Sequence, residues 1–383
     1  MKQDYILIGA DFAPIENDGK RIINGKQEEV LDQRISEMIM NSFFSVFNME
    51  APIAFEGMVP IKKDGPNLSV PSGSEKIYGN LGVDLLLLAN NHIMDYGKEG
   101  LFHTMECLDA MNISYIGAGQ NTEMADSVHF ALLNEKKIGF YAVAEREFSL
   151  AEKETPGANG FDKMHTNLRI QSIKKECDFL IVFYHGGREL YPYPSPEQQK
   201  RCREMVEYGA DAVICQHSHC IGAMEYYNKG CIYYGQGNFL FGDAEAEICI
   251  YSTLLKISVG EELTFDMVPI KRDKDKVRFL TGEEEARLQK QIAALNEDIK
   301  REGFVQSNYE KLAMEAIASY LYQFSGWPLW AIRFDKLFKR RLIKRTFEKK
   351  EKRLLYLQNI LQCDTHRELV LEGLKQLQSR NDK

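Results

Sequence analysis

Apolar and polar positions come in blocks along this chain, and the blocks change character once. Short apolar runs rich in β-branched, leucine and aromatic residues recur at 5–9, 43–47, 84–89, 179–184 and 210–215. Runs of this length and content predict strands. They are continuous rather than alternating, which predicts burial on both faces. Amphipathic stretches at 28–40, 98–111 and 196–208 lie between them and predict helices. Strands alternating with helices make a layered α/β fold. Two other pairs of runs, 129–133 with 138–143 and 248–259 with 263–270, are joined by the short polar segments 134–137 and 260–262. These predict antiparallel neighbours and hence a mixed sheet. From about Glu283 no strand-like run returns. Helical periodicity fills 284–301, 306–324, 328–356 and 365–378. The division is placed at 272/273, between a domain over 1–272 and a helical C-terminal region over 273–383.

Composition narrows the class. With 383 residues, 44% of them hydrophobic and 27% charged, the chain can bury a large core, which excludes disorder and collagen-like structure. Its net charge of −8 argues against a nucleic-acid partner. That charge is unevenly spread: residues 326–353 hold eleven Lys/Arg against three Asp/Glu, a local +8. Trp327, Trp330, Ile332, Phe334, Leu337, Phe338 and Leu342 interleave with these basic residues. Two readings stay open: a basic amphipathic helix in peripheral contact with an anionic membrane through 327–353, or a helix packed by its aromatic face with its basic face solvated. Eight cysteines without a C-x-x-C pair read as reduced thiols. The five-residue apolar run near the start is too short for a secretion signal, whose core needs ~7–15 residues. The expectation is a cytoplasmic protein, with the inner membrane face as the alternative that the basic stretch leaves open.

The chemistry concentrates in five loops. Each puts Asp, Glu, Asn or His just after an apolar run: Gly9-Ala10-Asp11, Asn48-Met49-Glu50-Ala51-Pro52, Asn90-Asn91-His92-Ile93-Met94-Asp95, His185-Gly186-Gly187-Arg188-Glu189 and His217-Ser218-His219. In open α/β sheets, ligands bind at the carboxyl ends of the strands, so these loops can converge. Carboxylate oxygen and imidazole nitrogen suit Mn, Zn, Fe or Mg. In an extended segment, His217 and His219 would share one side. Four of the eight histidines fall in these loops, which lifts a metal site well above scattered structural histidines. Arg188, Lys62 and Lys63 are candidate phosphate contacts. Glu189 could bind substrate, orient His185 or cap the helix that starts near Pro196. The Gly186-Gly187 pair reads as backbone geometry rather than a phosphate cradle.

The order and spacing of these loops, with Gly235-Gln236-Gly237-Asn238-Phe239 after them, resemble the CapA, or poly-γ-glutamate capsule synthesis, family of the calcineurin-like metallophosphoesterase superfamily. The resemblance covers about residues 4–270. It implies a four-layer α/β/β/α sandwich, here with a helical C-terminal extension, and one or two divalent ions (Mn, Fe, Zn or Mg) at the loop ends. Carried over, the metal ligands are Asp11, Glu50, Asn91, His185, His217 and His219, with Glu50 at the bridging position. His92 takes the general-acid position with Asp95 orienting it. Asn48, Arg188, Glu189 and Asn238 are assigned to substrate binding. The superfamily's opening D-x-H is not reproduced, because Ala13 stands at the second place after Asp11. The implied function is metal-assisted hydrolysis of a phosphoester in capsule or envelope-polymer synthesis, on a phosphorylated or polymer substrate. Hydrolysis of γ-glutamyl amide bonds and a non-catalytic accessory role in polymer assembly are the alternatives.

Overall fold

The computed structural model describes residues 2–242, 246–337, 342, 344–345 and 351–381. The chain forms two compact units, Met1–Val305 and Gln306–Lys383.

Two sheets make the frame of the first unit. In the eight-stranded sheet, Gln3–Ala13 is central, parallel to Ser42–Asn48 and antiparallel to Tyr251–Val259. Leu85–Leu87 and Ser114–Ile116 extend it on one side, Leu263–Asp273 and Lys276–Phe279 on the other. The six-stranded sheet runs Met224–Tyr227, Gly230–Tyr233, Ala212–Gln216, Phe179–His185, Lys136–Ala144, Val128–Leu133. Both mix parallel and antiparallel pairs, as the two polar-linked pairs of runs predict.

Strand Phe179–His185 shows how the layers stack. Its Ile181 and Phe183 join Ile6, Ile8 and Val46 of the other sheet in one buried core. Its Leu180, Val182 and Tyr184 point the other way, onto Ile170, Ile173, Cys202 and Met205 of helices Lys163–Lys174 and Pro196–Glu207. The continuous apolar run is thus a strand buried on both faces, each face with its own partner. Ile35, Ile39, Leu101 and Leu108 of helices Gln33–Asn41 and Gly97–Ala110 complete the first sheet's core. The result is the expected four-layer α/β/β/α sandwich. Gly9 permits one close approach: any Cβ there would collide with the Phe47 ring on the neighbouring strand.

Several boundaries differ from expectation. The predicted helix 28–40 is two helices, Gln27–Val30 and Gln33–Asn41. Leu31 bridges to Val277 between them, and the Asp32 carboxylate accepts the Arg34 N–H to start the second. Helix Pro196–Glu207 is capped by Ser195, whose hydroxyl accepts the Gln198 N–H, and not by Glu189. The unit boundary falls after Val305 rather than at 272/273. The physical reason is that Lys276–Phe279 pairs with Leu263–Asp273, while helix Gly282–Lys300 buries Leu288, Ile292 and Ile299.

The second unit is helical, with Leu321, Ile317, Leu354 and Leu357 in a small apolar cluster. The predicted helix 328–356 is seen as Leu329–Leu337 and Glu351–Gln362. The stretches 338–341, 343 and 346–350 between them, Phe338 included, lie outside the described residues. All eight cysteines are free thiols. Among the described residues, no helix is long and apolar enough to cross a membrane.

Candidate metal centre

The strand order brings the five loops to one end of the sandwich. Asp11 pairs in register with Asn48 on one neighbouring strand and with Asn238 on another. His185 ends its strand opposite Gln216, from which the chain turns into His217-Ser218-His219. Glu50 and Asn91 follow the strands Ser42–Asn48 and Leu85–Leu87.

Glu50 is the hub. It is fully buried, and neither carboxylate oxygen has a hydrogen-bond partner among the described residues. Its Oε1 lies 3.3 Å from His185 Nε2, 3.9 Å from His217 Nδ1 and 3.8 Å from His219 Nε2. Asn91 Oδ1 lies 3.0 Å from the same His185 Nε2. On the other side, Asp11 Oδ2 is 3.4 Å from His219 Nδ1. Glu50, His185 and His217 form one donor cluster, and Asp11, Glu50 and His219 another, each with its ligand atoms within 4.8 Å of one another. A buried carboxylate that makes no hydrogen bond is costly unless a cation compensates it. His217 Nδ1 is likewise buried and without a hydrogen-bond partner among the described residues. The donor set therefore fits two divalent cations sharing Glu50, one with Asn91, His185 and His217, the other with Asp11 and His219.

His217 and His219 do not lie on an extended segment as expected. Both adopt left-handed backbone, with φ of 90° and 53°. That twist sends the rings into different donor clusters, His217 with Glu50 and His185, and His219 with Glu50 and Asp11. The Leu190 N–H, donating to the Ser218 carbonyl at 2.8 Å, helps hold the strained loop.

A mesh of amides fixes the ligands. Asn48 Nδ2 donates to Asp11 Oδ1 at 2.8 Å and lies 3.4 Å from His185 Nδ1. Asn90 Nδ2 donates to the Met49 carbonyl at 2.8 Å. Asn238 Oδ1 meets His219 Nδ1 at 2.8 Å. Asn48 is fully buried in this mesh, so it positions ligands rather than presenting itself to a substrate; Asn238 likewise steers His219. His92 Nδ1 faces Asp95 Oδ2 at 2.7 Å, and Asp95 also takes the Leu68 N–H at 2.7 Å. Lys63 pairs with Asp95 and is buried against it, so it orients the His92–Asp95 pair instead of reaching out as a phosphate contact. Arg188 and Glu189 are exposed and fall in neither donor cluster.

Electrostatics follow the negative pair. Burial pushes the Asp11 carboxyl up, the Glu50 charge adds to this, and His219 pulls part of it back. Burial acts the same way on Glu50, but His219, His185 and His217 outweigh it and hold Glu50 well below the usual carboxylate range. Burial depresses His219, yet Glu50 and Asp11 more than reverse this and raise it to about 10. His217 is raised too: Glu50 outweighs its burial. The two carboxylates thus favour the protonated forms of His217 and His219, so a cation entering the site competes with protons there.

Glu145 and Glu147 form a third donor group with His217, unforeseen in the sequence. Gly186 makes room for it, since a Cβ there would sit 2.8 Å from the Glu145 carboxylate carbon. The signal was present: Glu145 directly follows the strand Lys136–Ala144, which contains the apolar run 138–143, as the ligand loops follow theirs.

A family model described as "Bacterial capsule synthesis protein PGA_cap" matches residues 17–243, well over half of the chain and all the ligand loops except Asp11. The chain belongs to this PGA_cap family. Capsule biosynthesis protein CapA of Bacillus anthracis is 28% identical over 233 residues, covering 58% of this chain and 56% of that protein. PGA biosynthesis protein CapA of Bacillus subtilis is 27% identical over 226 residues, covering 58% and 59%. The chain thus spans little more than half the length of these relatives. Among solved structures, a phosphatase from Mycoplasma pneumoniae is 15% identical with a TM-score of 0.44, covering 72% of this chain and 96% of that one. A 5'-nucleotidase precursor from Thermus thermophilus is 11% identical with a TM-score of 0.43, covering 76% and 59%.

Proposed function

We propose that this PGA_cap protein is a metal-dependent phosphoester hydrolase serving capsule or cell-envelope polymer synthesis. The observation that carries the reading is Glu50, a buried carboxylate without hydrogen bonds, shared by two ligand clusters beside a His–Asp pair. Divalent cations bound there would polarise a phosphoryl group and activate water. The chain's own residues do the rest. Asn48 and Asn238 keep Asp11, His185 and His219 in place. Asp95 engages His92 Nδ1 and fixes the ring, which leaves Nε2 to hand a proton to the departing oxygen. Lys63 locks Asp95 in that role.

Turnover of p-nitrophenyl phosphate and bis-p-nitrophenyl phosphate by manganese- or zinc-loaded protein tests this. The expected result is metal-dependent hydrolysis, abolished in His217→Ala and strongly reduced in His92→Ala. Unchanged turnover in both variants sinks the proposal. Release of glutamate from poly-γ-glutamate without phosphoester turnover replaces it with amide hydrolysis. A non-catalytic accessory role has one observation on its side: Ala13 stands where the superfamily's second ligand would be, leaving the Asp11 position three donors. Folded protein that binds no metal would establish that role.

A further inference from the structure

We infer that the helical unit docks on an anionic phospholipid surface through helix Leu329–Leu337. Trp330, Phe334 and Leu337 recur at i, i+4 and i+7 and so share one face of this helix. They are 73%, 53% and 78% exposed. The opposite side holds Asp335, which is 1% exposed and accepts the Leu342 N–H at 3.0 Å. The apolar face is therefore the outward one. Arg333 borders this face and Lys336 lies further round the helix; both are exposed.

Charge selects the occupant. Residues 326–353 carry eleven Lys/Arg against three Asp/Glu, while residues 1–325 carry a net −16, since the whole chain is −8 and 354–383 contributes zero. The field of this one segment is thus opposite to that of the rest of the protein. An exposed aromatic face amid concentrated positive charge matches an anionic lipid interface, where rings enter the headgroup boundary and Lys/Arg meet phosphates. A soluble polyanion would satisfy the charge but not Trp330, Phe334 and Leu337. A second copy would satisfy the apolar face but set +8 against +8. The family match ends at residue 243, so this surface is not part of the capsule-synthesis module.

The chain's own tryptophans report the result. There are two, Trp327 and Trp330, and both lie in this segment. The full chain is floated with phosphatidylcholine vesicles with and without about one-third phosphatidylglycerol, and tryptophan emission is recorded. The expected result is flotation and a shift to shorter wavelength with anionic vesicles alone, both reversed by high salt. Arg333→Gln with Lys336→Gln is expected to weaken partition roughly thirtyfold, at about fivefold per basic residue near the surface. Phe334→Ser with Leu337→Ser is expected to abolish the emission shift. Circular dichroism confirms that each variant keeps its helices, and the charge pair, both exposed, tests the surface even if the apolar pair misfolds. No flotation overturns the inference, as does equal binding to neutral vesicles. A short-wavelength emission without lipid, together with a dimer mass, assigns the face to self-association instead. Binding of soluble polyglutamate with no emission shift on vesicles assigns the charge to a polymer.

Discussion

Glu50→Gln separates a shared cation hub from a merely buried ion pair. The change keeps the side chain's shape and removes one negative charge. That charge faces His185 at 3.3 Å, His219 at 3.8 Å and His217 at 3.9 Å, and belongs to both ligand clusters. Two unit charges ~4 Å apart in a partly screened site attract by roughly 4 kcal/mol. A cation at that distance or closer to Glu50 should therefore lose at least about a thousandfold in affinity on removal of the charge. A dication feels the loss more strongly. Because both positions use the same carboxylate, wild type is expected to hold two manganese or zinc ions per chain and Glu50→Gln none. Asp11→Asn and His217→Ala should each keep one, because each belongs to only one of the two clusters that share Glu50. Metal content by plasma mass spectrometry after dialysis, with titration calorimetry for affinity, reads all four proteins. Stoichiometric metal in Glu50→Gln would refute the shared hub. Loss of both ions in Asp11→Asn would refute the division into two positions.

Three other outcomes follow from the same geometry. Asp95→Asn is expected to cut phosphoester turnover by about a hundredfold while metal content stays at wild-type level, because Asp95 steers His92 and ligates nothing; a parallel loss of metal would contradict this. In the metal-free protein His219 is raised to about 10, so its pairing with Glu50 and Asp11 stabilises the fold fully below pH ~6.5 and is lost as pH rises through about 10. Metal loading near pH 7 must then release protons, and apparent affinity should climb as pH rises; calorimetry in buffers of different ionisation heat checks this, and pH-independent binding would oppose it. Asp18→Ala should destabilise the first unit by roughly 3–5 kcal/mol in denaturant unfolding. It removes the buried carboxylate that the Arg272 guanidinium meets twice, at 2.7 and 2.8 Å; a change under 1 kcal/mol would show that the pair is dispensable.

Much of the architecture is local in origin and could be read directly. Continuous apolar runs of five or six residues between amphipathic stretches can only bury themselves as strands within stacked layers. Loops that carry His, Asn and carboxylates after such runs fall at strand ends, where ligands bind. The resemblance to the capsule synthesis family singles out Asp11, Glu50, Asn91, His185, His217 and His219 in these loops, and the fold gathers them around Glu50. The pairing of His92 with Asp95, three residues on in the same turn, was legible as well.

Division of labour among those residues required three dimensions. Nothing in His217-Ser218-His219 announces two left-handed histidines, so the sequence suggests one shared side where the fold makes two positions. Asn48 and Lys63 look like substrate contacts in a loop, and only burial shows that each is already committed to a ligand or a catalytic side chain. Glu145 comes to His217 because its strand lies beside that of His185, a neighbourhood set by sheet order. Period and composition decide which residues can form strands, helices and ligands, since these depend on near neighbours along the chain. Which donors gather into which cluster, and which charge is already paired, depends on contacts between segments from about thirty to about two hundred residues apart, and these exist only once the chain has folded.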